Sequence, residues 1–245
     1  MTRQILLLTA TIRPRGRQPE LRITDPQVRL GHYRSGLAFH SKFLEAGVVD
    51  GIVFADNSGY DLADLREEFA DSRIEWIGFH GLDYDPAFHR GYGEFRLIDE
   101  AHRSSRILQG LSPTDRVWKV TGRYQLRNLA QVIRTAPQDA DLYCDARRGW
   151  VEMSVLAWTL RGYEQVIQAA WNEFASGAVP EVIFARRIEE GRTGDARVVS
   201  RFRWPMRLVG LRGGDGTPYQ GRWTPVKFGL QVLAKSALLA LRGIR

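Results

Sequence analysis

Residues 50–59 read Asp-Gly-Ile-Val-Phe-Ala-Asp-Asn-Ser-Gly. The apolar run up to Ala55 reads as a short strand buried on both faces, and Asp56 to Gly59 has the composition of a turn. Upstream, Ile5 to Ala10 (ILLLTA) is a second run of the same kind. Between the two, Tyr33, Leu37, His40, Phe43, Leu44 and Gly47 recur at three- and four-residue spacing and predict an amphipathic helix. Residues 13–31 hold Pro14, Gly16, Pro19 and Pro26 and read as a long loop of the sort that carries function. Downstream, Leu62, Leu65 and Phe69 mark a helix, and Ile74 to Phe79 a third strand. Phe95 to Leu108 is the next helix, Arg116 to Val120 a fourth strand, Leu126 to Ile133 a short helix and Leu142 to Ala146 a fifth strand. This alternation predicts an α/β fold with a mainly parallel sheet flanked by helices.

The second half is less regular and predicts a mixed α+β portion. Tyr163 to Phe174 has helical spacing, while Glu181 to Arg187 and Arg197 to Phe202 read as strands of a hairpin around Gly191 to Asp195. Trp204 to Pro225 is loop, with Gly213-Gly214-Asp215-Gly216 at its centre. Val226 to Leu241 is a final helix with Lys227, Lys235, Arg242 and Arg245 nearby. Residues 1–150 and 151–245 thus form two halves of one continuous domain.

The chain has 245 residues, with 35 Lys and Arg against 28 Asp and Glu, a net charge of +7. Hydrophobic residues at 44% and charged ones at 26% are an ordinary globular balance, which argues against disorder. The single cysteine, Cys144, excludes an intramolecular disulfide and a Cys-based zinc site, and fits a reducing, cytoplasmic setting. No run reaches the roughly 18 apolar residues of a membrane span, and the N-terminal apolar run is too short for a secretory signal. The basic excess points to an anionic partner: nucleic acid, an anionic membrane surface or a phosphorylated small molecule.

In parallel sheets, ligands bind beyond the carboxyl ends of the strands. Arg13, Asp56 to Ser58 and Thr121 to Tyr124 all fall at such ends. Asp56, Asn57 and Ser58 have groups suited to the edge of a base or a ribose, or simply to capping their own turn. Arg90-Gly91-Tyr92-Gly93-Glu94 precedes a helix, where Gly91 and Gly93 would let backbone approach an anion. A plain loop with Glu94 in the first helical turn explains the same residues. In Lys119-Val120-Thr121-Gly122-Arg123-Tyr124, alternation puts Lys119 and Thr121 on one face, with Arg123 just past the strand. Cations at a buried edge need a counter-charge, and either a diphosphate or a carboxylate (Glu94, Asp99 or Asp145) would supply it. Asp145, after the fifth strand, suits a general base, a sugar-hydroxyl ligand or a metal ligand, or an ion pair with Arg123 or Arg147. The five histidines lack zinc-ligand spacing, and GxSxG, Walker A and dinucleotide fingerprints are missing.

The order of these motifs, DNSG after the second strand, then RGYGE, then KVTGRY, resembles GT-A-like glycosyltransferases of bacterial polysaccharide and lipopolysaccharide clusters. The resemblance covers roughly residues 5–150. It implies a GT-A-like, Rossmann-like fold and sugar transfer from a nucleotide-sugar donor to a hydroxyl of a glycan or lipid-linked glycan. It places Asp56 and Asn57 at the nucleoside and Gly91, Gly93 and Glu94 in the donor pocket, with Asp145 or Glu94 as base. Arg13, Ser58, Lys119, Thr121 and Arg123 complete the donor-binding set. Where the family carries a metal-binding Asp-x-Asp, this chain has Lys119 to Arg123 without a carboxylate. No metal or other cofactor is therefore expected, fixed cations take its place, and Asp145 keeps a divalent ion open. The expected setting is the cytoplasm, with the basic terminal helix resting on the inner membrane. A nucleic-acid-binding protein, motivated by the charge and the seven tryptophans, is the competing reading. It is disfavoured because the arginines are dispersed and no binding module is recognisable, so no nucleic-acid partner is expected. A nucleotidyl- or sulfotransferase is the third reading.

Overall fold

The computed structural model describes residues 2–15, 21–176, 178–190, 192–212 and 216–219. The terminal helix over 226–241 and most of the glycine-rich centre of the preceding loop lie outside these residues. Among the described residues no helix is long and apolar enough to cross a membrane.

The chain runs β1 (Gln4–Ala10), α1 (Pro26–Glu45), β2 (Gly51–Asp56), α2 (Ala63–Glu68), β3 (Ile74–Gly78), α3 (Arg90–Ser104), α4 (Arg106–Gln109) and β4 (Arg116–Thr121). It continues with β5 (Gln125–Leu126), α5 (Leu129–Arg134), β6 (Leu142–Tyr143), β7 (Ala146–Arg147), β8 (Trp150–Val151), β9 (Val155–Trp158) and α6 (Leu160–Gly162). The last described elements are α7 (Pro180–Glu189), β10 (Val198–Val199) and β11 (Leu208–Val209). Seven strands form one sheet in the order β10-β6-β9-β4-β1-β2-β3. β1 pairs in parallel with both β2 and β4, β2 with β3 and β10 with β6, while β9 runs antiparallel to β4 and β6. The sheet is mainly parallel and flanked by helices.

Period-two alternation sorts the central strands into two cores. Leu6, Leu8 and Ala10 share one with Ile52, Phe54, Trp118 and Val120, and α1 covers it through Tyr33 and Leu37. Ile5, Leu7, Val53, Ala55 and Val117 share the other with Phe95, Ile98 and Ala101 of α3. Both faces are dry, which is why these strands read as continuous apolar runs.

From β1 the chain steps one way to β2 and β3, then returns to place β4 on the other side of β1. The carboxyl ends of β1 and β4 are therefore a topological switch point, the place where open α/β sheets leave a crevice. Thr9 and Thr121 are paired across it. The turn after β4 is tied to β1 by Gly122 N–H donating to Thr9 O at 2.8 Å. α1 passes so close that a methyl group at Gly36 would run into the Gly122 carbonyl, so Arg123 is held at the mouth of the crevice.

Several elements differ from the sequence reading. α1 begins at Pro26 rather than near Tyr33, because Asp25 caps it by accepting from Gln27 N (2.7 Å) and Val28 N (3.0 Å) and proline fits the first turn. Residues 181–187 form helix α7 and not a strand: Pro180 starts it, and Phe184 and Ala185 are its buried stripe. β10 therefore pairs with β6 and not in a hairpin. The helix expected over 163–174 is broken, since Ala169 adopts φ 57°. Asp99 pins that break, accepting from Ala169 N, Trp171 Nε1 and Tyr163 Oη at 2.8–3.0 Å. The fifth strand is only Leu142–Tyr143, and β9 was not foreseen.

Two histidines are buried without charge. His40 donates Nδ1–H to Gly36 O at 2.8 Å with Nε2 unpartnered among the described residues, and burial pushes its pKa down to about 4. His102 stacks on Tyr163 at 3.6 Å, accepts from Trp158 Nε1, and burial pushes it down to about 3. An unfolded chain takes up these protons near pH 6.5, the folded one far lower. Stability is therefore full above pH 6.5 and falls as pH drops, by about 1.4 kcal/mol per unit for each histidine. The expected loss between pH 7 and pH 5 is about 4 kcal/mol, read as a falling Tm. His40→Met should recover about half of that slope. Comparing variant with parent separates the histidine part from Asp56 and Asp99, whose carboxyls burial raises and which act in the opposite sense. An unchanged slope in the variant would contradict the assignment.

Candidate functional site

A cleft of about 890 Å³ opens at the switch point. Thr9 to Thr11, Asn57, Glu94, Thr121 and Arg123 line it from the strand ends and α3, and Arg29 and Tyr33 from α1. Trp150, Glu152, Val179 and Glu181 line it from the β7–β8 region and α7.

Its floor is a closed knot of polar groups. Lys119 is 0% exposed and its Nζ lies 2.6 Å from Glu94 Oε1. Lys119 also donates to Met153 O (2.6 Å) and Thr121 Oγ1 (3.2 Å). Thr9 Oγ1 (2.8 Å) and Thr121 Oγ1 (3.1 Å) donate to the same Glu94 oxygen. Burial pushes the Glu94 pKa up, but the Lys119 charge and the hydrogen bonds from Lys119, Thr9 and Thr121 outweigh it and hold it below the usual range. A carboxylate so held is a poor proton acceptor near neutral pH. Lys119 likewise spends its charge inside the protein, in the ion pair with Glu94 that the sequence allowed as an alternative.

Arg22, Arg29, Arg90, Arg123 and Arg212 also line the cleft, and Arg29 from α1 and Arg123 from the turn after β4 stand at the switch point itself. Arg29 is 4% exposed and donates to Thr11 O (2.6 Å), Ile23 O (3.1 Å) and Tyr33 Oη (3.0 Å), all neutral. Arg123 donates to Tyr124 Oη at 2.7 Å, stacks over that ring at 4.8 Å, and its buried Nε has no hydrogen-bond partner among the described residues. Neither forms an ion pair with a described carboxylate. Their fields overlap at His32, whose pKa is lowered by burial and then by Arg123 and Arg29. Arg123 feels the Glu94 charge without pairing with it, and a guanidinium lacking an ion-paired carboxylate is one that an incoming anion can meet.

Other expected site residues play local roles. Asp56 accepts from Ile12 N (2.7 Å), Ser58 N (2.8 Å) and Ser58 Oγ (2.6 Å), so it builds the turn and does not face the cleft. Ser58 also accepts from Arg13 N, and the exposed Arg13 guanidinium sits over Tyr60 at 5.6 Å, away from the cleft lining. Asn57 does line the cleft, with Oδ1 accepting from Thr11 Oγ1 (2.7 Å) and Nδ2 donating to Gly93 O (3.1 Å). Gly91 and Gly93 lie inside the first turn of α3, where side chains would strike Pro180 and Tyr84. They permit close packing and form no anion loop. Asp145 pairs with Arg147 (2.6 and 2.9 Å) outside the cleft lining.

Arg29, Glu152 and Glu181 were missed. The Asp25-Pro26 cap signal would have exposed Arg29 as a first-turn residue of α1. Glu181 stands behind Pro180 at the start of α7. Its Oε2 is buried without a hydrogen-bond partner among the described residues. Burial pushes its pKa up and the Glu94 and Glu152 charges add to that, while a hydrogen bond from its own backbone N–H and the Arg90 charge oppose it.

Neither a protein-family model nor a curated protein matches the chain. Among solved structures it is similar to a Desulfovibrio desulfuricans G20 chain described as a nucleotide-diphospho-sugar transferase, with 14% identity, 81% of this chain and 79% of that one covered, and TM-score 0.50. It is also similar to a 4-diphosphocytidyl-2C-methyl-D-erythritol synthase (11% identity, 95% and 99% covered, TM-score 0.46). The CTP:phosphocholine cytidylyltransferase of Streptococcus pneumoniae follows at 10% identity, 86% and 93% covered, and TM-score 0.42. At such identities the likeness is one of architecture, and on that level the chain has the helix-flanked, mainly parallel sheet of the nucleotide-sugar transferase, Rossmann-like kind.

Proposed function

We propose that this protein is a nucleotide-dependent transferase that moves a sugar from a nucleotide-sugar donor to a hydroxyl of a glycan or lipid-linked glycan. The observation that carries the reading is a pair of guanidiniums beside the switch-point cleft, buried Arg29 and partly buried Arg123, neither in an ion pair with a described carboxylate. A nucleoside diphosphate leaving group develops negative charge as its bond to the sugar breaks, and fixed guanidiniums stabilise that charge without reorganising.

A divalent ion commonly serves this purpose in GT-A-like enzymes, and the residues present do not fit one. The β4 end offers Lys119 to Arg123, and the Glu94 carboxylate beside it is taken by Lys119. Among the described residues no group of three His, Cys, Asp or Glu side chains suits a metal. The reading therefore assigns the diphosphate to arginines.

Thermal-shift measurement against UDP, GDP, CMP and TDP tests this. One nucleotide is expected to stabilise the protein, by about 2.7 kcal/mol at a hundredfold excess over Kd, and EDTA should leave the shift unchanged. A shift abolished by EDTA and restored by Mg²⁺ or Mn²⁺ would reject the arginine assignment. Stronger stabilisation by a nucleoside triphosphate would turn the reading to nucleotidyl transfer. No response to any nucleotide, with salt-sensitive binding of DNA or RNA, would replace it with nucleic-acid binding.

A further inference from the structure

The wall of the cleft formed by β8 and the start of α7 has a different chemistry from the arginine side. β7 and β8 are joined by a two-residue turn, Arg148-Gly149, with φ 51° and 72°, the left-handed geometry of a tight hairpin. The alternation of β8 buries Val151 completely and leaves Trp150 47% exposed while still lining the cleft. Val179, 39% exposed, lies in the same lining. A large indole held open on a short rigid hairpin is a flat apolar platform at the rim of a polar cavity. Pyranose rings present such a surface with their axial C–H groups, while their hydroxyls face polar partners.

Three glutamates line the same cleft, and their partners separate them. Glu94 is locked to Lys119, Thr9 and Thr121. Glu152 Oε1 accepts from Ser154 N at 3.0 Å and Tyr219 Oη at 3.4 Å. Glu181 alone keeps a buried oxygen without a hydrogen-bond partner among the described residues.

We propose that the β8–α7 wall is a sugar subsite for the acceptor, with Trp150 as its stacking platform and Glu181 as the group that takes the acceptor hydroxyl proton. This rests on the transferase reading above. In the step, the acceptor O–H bond breaks and its proton passes to a Glu181 carboxylate oxygen. The freed oxygen pair forms the new bond to the anomeric carbon. The bond from that carbon to the diphosphate breaks, its electron pair leaving on the diphosphate beside Arg29 and Arg123. The upward shift of Glu181 by burial and by its glutamate neighbours suits a proton acceptor working near neutral pH.

The test uses the full chain, the stabilising nucleotide from the thermal-shift series, and the methyl pyranosides of glucose, galactose and mannose as probes. Saturation-transfer NMR is expected to show at least one methyl pyranoside bound in the presence of the nucleotide. Trp150→Ala should abolish that signal and leave the nucleotide shift intact. Glu181→Gln should keep both binding signals within about twofold. It should lower transfer from the matching nucleotide sugar to the bound pyranoside by about 10²-fold or more, and remove the acid limb of the pH–rate profile. Glu152→Gln should retain that limb. Nucleotide binding with no pyranoside signal, or a signal unchanged in Trp150→Ala, would overturn the subsite while leaving the transferase reading in place. Turnover in Glu181→Gln within threefold of the parent, or an unmoved acid limb, would overturn its assignment. Absence of any nucleotide shift in the parent would remove the transferase reading itself and this proposal with it.

Discussion

Arg123→Ala is expected to weaken binding of the stabilising nucleoside diphosphate about 30-fold and to leave binding of the corresponding nucleoside within about threefold. A hydrogen bond to a charged group contributes about 2 kcal/mol, and each 1.4 kcal/mol is tenfold in affinity. The split between the two ligands matters more than the loss. If Arg123 served only the fold, both ligands would weaken together through a distorted cleft. The side chain is well placed for a clean result, since the hydrogen bond and the ring contact described for it are both with Tyr124. Arg123→Lys should recover part of the affinity, because a point charge keeps the attraction but loses the planar two-pronged donor. Arg29→Ala should weaken diphosphate binding by a similar factor and also lower Tm. Its guanidinium bonds the carbonyls of Thr11 and Ile23, which tie the loop after β1 to α1. Isothermal titration with the diphosphate and the nucleoside on each variant reads both effects. Equal losses for the two ligands in Arg123→Ala would set aside the anion-binding role.

Strands β1, β2 and β4 were legible because each is buried on both faces, and edge strand β3 through its short apolar run. The rim of the site was legible for the same reason: a polar residue straight after such a run must sit at a strand end. What it does there was not. Asp56, Ser58 and Arg13 follow the strand ends as the sequence suggests, yet they lie outside the cleft lining and the carboxylate is consumed by the turn it builds. Only the three-dimensional partner list separates a group spent on its own backbone from one left for a ligand.

The misread pieces have specific causes. Glu181 to Arg187 carries the short β-branched and aromatic run Val182-Ile183-Phe184, which mimics a strand, while the helix rests on Pro180 at its start and on Phe184 and Ala185 facing the core. That error hid Glu181, which stood at the start of the expected strand and was given no part in the site. The proline-rich stretch before Tyr33 reads as loop throughout, although proline in the first turn of a helix is favourable, and Arg29 was lost with it. Gly91 and Gly93 read as a phosphate cradle because glycine serves two ends, close approach of a ligand and close approach of another element. Pro180 and Tyr84 occupy the space in question.

Lys119→Met is expected to destabilise the protein by about 3–5 kcal/mol, a fall in Tm of about 10 °C, because it strands the Glu94 carboxylate without its counter-charge. The pair lies directly beneath Thr9 and Thr121, so the loss falls on the seam between β1 and β4 at the base of the cleft. Glu94 is held below its ordinary value of 4.5, so the stability it contributes is present above that pH and drains away as pH falls through the lowered folded value. The gap between Lys119→Met and the parent should accordingly narrow in acid. The double variant Lys119→Met, Glu94→Gln removes both charges at once and should recover most of the lost stability. It also decides what the lysine is for. If Lys119 met the diphosphate, the double variant would bind the nucleotide as poorly as Arg123→Ala. An affinity within about threefold of the parent is the expected result, since a fully buried ammonium 2.6 Å from a carboxylate has its charge already answered, whereas Arg29 and Arg123 form no ion pair with a described carboxylate.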